Sequence, residues 1–60
     1  MGKTVTVWYD DTSIDTGYVV DVEDSEGSTM TVNVLDETQE ALDFGKRYAE
    51  KSGFEFDDRT

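Results

Sequence analysis

Hydrophobic and polar positions alternate strictly over residues 3–9, with Val5, Val7 and Tyr9 on one side and Thr4, Thr6 and Trp8 on the other. Alternation of this kind, rich in β-branched residues, predicts a half-buried strand. A polar stretch comes next and ends at Gly17, a turn region by composition. The alternation resumes over 18–23, where Tyr18, Val20 and Val22 oppose Val19, Asp21 and Glu23. Asp24-Ser25-Glu26-Gly27-Ser28 then reads as a short hairpin loop in which Gly27 supplies positive φ. A third strand is predicted over 29–35, with Met30, Val32 and Val34 on its apolar side.

These strands suggest a register. Tyr9 opposite Tyr18 sets Val7 against Val20 and Val5 against Val22. Val22 opposite Met30 sets Val20 against Val32 and Tyr18 against Val34. A slip of one residue would turn a whole strand over, so the agreement of the apolar positions predicts a three-stranded meander with one apolar face.

Beyond Asp36 the hydrophobic period changes from two to that of a helix. Asp36 is a candidate N-cap with Gln39 completing a capping box, and Gly53 occupies the place of a C′ glycine. Ala41, Leu42, Phe44, Gly45, Tyr48 and Ala49 form one apolar arc, opposed by Asp43, Lys46, Arg47 and Glu50. A glycine in mid-helix costs about 1 kcal/mol relative to alanine. Gly45 is therefore expected where another element approaches closely, in the first place the valine-lined face of the sheet and otherwise a second helix. Residues 54–56 read as a short fourth strand and the last four as a tail. The expected fold is α+β, in β-β-β-α-β order: an antiparallel meander, a helix over about 37–52 packed on one face, and a short last strand. All of residues 1–60 belong to one domain.

Composition narrows the chemistry. The chain has no cysteine and no histidine, so disulfides, thiolate metal sites and the commonest general base are absent. Adjacent carboxylates such as Asp57 and Asp58 point to opposite sides of a strand, and no base partners the Ser and Thr hydroxyls. No enzyme, cofactor or specific metal site is expected. The acidic turn at 21–27 departs from a calcium-loop pattern. Lys46, Arg47 and Lys51 complement the C-terminal end of the helix dipole, which explains them without a nucleic-acid ligand. No run approaches the length of a membrane span and no signal peptide is evident, so a cytoplasmic location is expected.

Fifteen acidic residues against five basic ones leave a net charge of −10. A compact chain so charged repels itself at low ionic strength, and concentrated salt relieves the repulsion. Seven valines and seven aromatic residues in a periodic pattern argue against disorder. With nine Asp against three Lys and few Leu or Ile, the composition resembles that of proteins from salt-in halophiles, notably haloarchaea. Two family resemblances accompany it. Gly17-Tyr18-Val19-Val20 followed by Thr38-Gln39-Glu40-Ala41-Leu42 resembles the N-terminal domain of HicB-type antitoxins, which implies the same β-β-β-α-β order and an antitoxin-like role. The spacing of Glu40-Ala41, Gly45, Ala49 and Gly53 is similar to that in a family of small uncharacterised prokaryotic proteins and implies no function.

The outer sheet face is mostly Thr, Asp, Glu and Asn. The expected register places Trp8 opposite Val19 with Leu35 diagonally near, an apolar corner fit for a protein partner. The competing expectation is that Ile14 folds back over that corner. The expected function is a non-enzymatic interaction module of a halophile, homodimeric through this corner or the last strand. Its competitors are an acidic inhibitor imitating DNA phosphates and an antitoxin-like domain.

Overall fold

The computed structural model describes residues 2–11 and 17–60. Four strands and one helix succeed one another in the order β1 (Thr4–Asp10), β2 (Gly17–Glu23), β3 (Thr29–Leu35), α1 (Thr38–Ser52) and β4 (Glu55–Arg59). The strands form one sheet in the order β3-β2-β1-β4. β1 pairs antiparallel with β2 in the expected register, Val5 with Val22, Val7 with Val20 and Tyr9 with Tyr18. The 57–60 tail is not one: β4 runs to Arg59 and pairs parallel with β1 within the same chain, Val5 opposite Phe56. The sheet is accordingly mixed, the meander being its antiparallel part.

The third strand departs from expectation midway. Val22 faces Met30 as anticipated and Asp21 faces Thr31, but Val20 faces Asn33, so Val32 is the extra residue of a β-bulge. One inserted residue reverses the facing of the rest of the strand. Val34, expected on the core side, lies opposite Val19, and Leu35, expected outside, lies opposite Tyr18 and packs against the core.

The helix covers one face and builds the core there. Val5, Val7, Val20 and Val22 meet Ala41 and Ala49, with Leu35, Phe44, Tyr48 and Phe56 closing the margins. Gly45 lies at the closest approach: a Cβ built on it would stand 2.8 Å from both Phe56 Cε1 and Val7 Cγ2. The expected small-residue ridge against the sheet is what brings the helix so low. The helix ends as expected, Gly53 being left-handed at φ 72° and Phe54 N–H donating to Ala49 O at 2.9 Å. Its start is different. The N-cap is Glu37, in extended conformation and with no side-chain cap, and Gln39 donates forward to Asp43 at 3.3 Å instead of back in a capping box.

The hairpin between β2 and β3 is held by one carboxylate. Asp24 Oδ1 accepts the N–H groups of Glu26 at 2.9 Å and Ser28 at 3.0 Å, while Gly27, at φ 89°, donates its N–H to Asp24 O at 3.1 Å. The molecule is a slab 15 Å thick along its short axis. One sheet face lies under the helix; no element covers the other among the described residues.

Candidate functional site

The uncovered sheet face is a grid whose columns are the four strands. Its upper row, read from β4 to β3, is Arg59, Trp8, Val19 and Val34. The middle row is Asp57, Thr6, Asp21 and Thr31, and the lower row is Glu55, Thr4, Glu23 and Thr29. Period two puts these residues outside because their alternates, Val5, Val7, Val20 and Val22, are buried under the helix.

Trp8 is fixed in this grid. Its Nε1–H donates to Asp21 Oδ2 at 2.7 Å, and Thr31 Oγ1 donates to Asp21 Oδ1 at 3.0 Å. Asp21 is the diagonal neighbour of Trp8, two positions along from Val19, which is within reach of a long side chain. The indole is thus held half-buried across β2, with its polar edge satisfied. An open concavity of about 530 Å³ lies over this part of the face, lined by Trp8, Asp21, Glu23, Thr29 and Arg59 among others.

The other charged groups at this end are mutually occupied. Arg59 Nε donates to Asp57 Oδ2 at 2.8 Å, and that contact raises the guanidinium pKa further. Asp58, on the helix side of β4, accepts from Thr60 through Oγ1 at 2.6 Å and N–H at 2.9 Å, which holds its carboxyl below the ordinary value. Among the described residues no three acidic side chains gather into a group able to hold a metal ion.

The corner expected from Trp8, Val19 and Leu35 is assembled differently. Trp8 and Val19 are adjacent as expected. Val19, however, is only 6% exposed, so it supports the indole without offering contact surface of its own. Leu35 is on the opposite side of the sheet, and its place in the row belongs to Val34, which is 47% exposed. Arg59 also joins the row, hidden from the sequence because it lies in what reads as a tail. The signal for Asp21 was present: once Trp8 faces Val19, Asp21 must lie on its diagonal. Ile14, the alternative cover for the corner, lies outside the described residues.

A second hollow, of about 490 Å³, opens on the helix side between Leu35, Phe44 and Tyr48, with Arg47, Lys51, Glu40 and Asp43 at its rim. Phe44 stacks on Tyr48, and Phe54 meets Tyr48 tilted at 47°, both at centroid spacings of 6.2 Å. The hollow is the margin of the core, where these rings finish the helix–sheet contact. Comparison with protein-family models, curated proteins and solved structures finds no match.

Proposed function

We propose that the protein is a small non-enzymatic interaction module of a salt-rich cytoplasm, homodimeric, which contacts a protein partner through the Trp8 end of its open sheet face. The observation that carries this reading is the row Trp8–Val19–Val34, an apolar strip across a face otherwise built from hydroxyls, carboxylates and the Arg59 guanidinium. A rigid indole with its N–H already bonded loses little side-chain freedom on binding, which is why tryptophan so often anchors interfaces. Val34 beside it offers exposed apolar surface, and the concavity below gives a partner side chain somewhere to sit.

The salt adaptation is supported by where the charge lies. Acidic residues occupy the open face (Asp21, Glu23, Glu55, Asp57), the hairpin (Asp24, Glu26), the approach and first turn of the helix (Asp36, Glu37, Glu40) and its exposed side (Asp43, Glu50). An inhibitor that imitates DNA needs its carboxylates concentrated in one groove-length row, so a distribution over every element but β3 favours solvation in salt. The antitoxin-like reading draws no support from the site.

Capture from a host extract in molar KCl tests the proposal. The unaltered chain is expected to retain a protein that Trp8→Lys loses while keeping its circular dichroism spectrum. A partner retained by Trp8→Lys would place the contact elsewhere, and loss of fold in that variant would make Trp8 a core residue.

A further inference from the structure

One edge of the sheet differs from everything else in the molecule. β3 is the outermost strand, its far side unpaired among the described residues. It is also the one element of the five with no charged residue, Thr29-Met30-Thr31-Val32-Asn33-Val34-Leu35, in a chain that is 33% charged. Met30 is 64% exposed and Val34 47%. The opposite edge, β4, is Glu55-Phe56-Asp57-Asp58-Arg59. Natural sheets blunt free edges with charge or with a bulge; β4 carries the charge, whereas β3 has only its bulge at Val32 and no charge at all.

We infer that β3 is the homodimer contact, pairing antiparallel with β3 of a second copy to join two four-stranded sheets into one. The inference rests on the reading of the protein as a self-associating module, and it identifies the surface. Charge selects the occupant. Two copies at −10 each repel wherever carboxylates meet, and an uncharged edge is where that repulsion is least. Antiparallel pairing of one strand with itself is isologous, so the same residues serve both copies and the assembly closes. Growth beyond the pair is blocked, because the edges left free are the two acidic β4 strands. Pairing also sets Met30, on the helix side, and the outer flank of Val34 beside a partner strand, reducing apolar exposure that a 60-residue chain is too small to remove by itself. In the single chain Asn33 Oδ1 takes the N–H of Val34 at 2.9 Å, a local bond that a partner carbonyl replaces without net loss. The open face and Trp8 stay clear, two copies of the row lying in one continuous sheet.

Sedimentation of the full chain across a KCl series tests this, with amide hydrogen exchange at low and high protein concentration as a second measurement. The expected result is a dimer of the 6.8 kDa chain in molar KCl that dissociates as salt falls, with concentration-dependent protection confined to 29–35. Met30→Lys and Val34→Lys, each present twice in a symmetric contact, are expected to weaken the dimer by roughly 30-fold or more. Asp58→Lys, a larger change of charge on the other edge, should leave it intact. A dimer that survives both β3 substitutions, or protection appearing at Trp8 or β4 instead, overturns the edge assignment while self-association stands. A monomer at every salt and concentration, with no protection gained at 29–35, overturns both.

Discussion

Gly45 sets how close the helix lies to the sheet. A methyl group there would meet Val7 and Phe56 side-chain carbons at 2.8 Å, and Val7 is wholly buried. Alanine gains about 1 kcal/mol of helix propensity, whereas overpacking a tight core costs about 1–3 kcal/mol. The Val7 methyl sits on a stiff side chain in a paired strand, so the steric term is expected to win. Gly45→Ala should therefore lose about 1 kcal/mol net, seen as a lower urea midpoint, and Gly45→Leu should not fold. An alanine variant more stable than the parent would mean that the helix can lift at no cost. This residue was legible in the sequence, because a glycine flanked at four-residue spacing by Ala41 and Ala49 has little other purpose. Trp8 was legible as an outward residue too, but its bond to Asp21 required the register.

At the scale of elements, local chemistry and packing divide the work. The β2–β3 hairpin is local: Asp24 supplies a carboxylate that takes two backbone N–H groups, and Gly27 supplies the positive φ. Asp24→Ala removes an acceptor and is expected to cost about 1 kcal/mol, while Asp24→Asn keeps a carbonyl oxygen in place and should lie close to the parent. Thermal unfolding of the pair checks this, and equal stability of the two would show that the turn holds without the side chain. The bulge in β3 is not local. Unbroken alternation would have put Val34 inside and Leu35 outside. Inserting Val32 exchanges them and brings the larger side chain to the core beside Tyr18, worth about 0.8 kcal/mol for the extra methylene. No glycine marks the site, and although Asn33 beside it takes the N–H of Val34, alternation alone predicts the wrong face. The helix start misled for a similar reason. Asp36 has the right chemistry, but the chain bends at Asp36 and Glu37 on leaving β3, and the helix begins only after Glu37, which is itself extended.

For the whole molecule, charge and shape are coupled. A slab with a second sheet face that no described element covers exposes 4230 Å² and carries carboxylates on four of its five elements. Self-repulsion should therefore govern stability in dilute buffer. At protein concentrations low enough to keep the chain monomeric, the unfolding temperature is expected to rise by roughly 10 °C or more from dilute to molar KCl. The measurement is a thermal scan at stepped salt. A flat response would remove the halophilic reading without touching the fold. The same repulsion makes an uncharged β3 edge stand out, and the two salt series separate its effect on assembly from its effect on folding.

Periodicity by itself determined the three strands of the meander, the β1–β2 register, the helix with its buried Ala41–Gly45–Ala49 ridge, and the glycine that ends it. These arise from residues near in sequence or from matching one apolar row to another, and both are written along the chain. The tertiary structure decided the rest. β4 lies beside β1 because the helix carries the chain across the sheet, and five residues cannot announce which edge they will reach. The bulge places Leu35, the larger side chain, against the core. Together these two place Arg59 and Val34, not Leu35, in the row with Trp8, since which residues meet across strands depends on separations that no local pattern records.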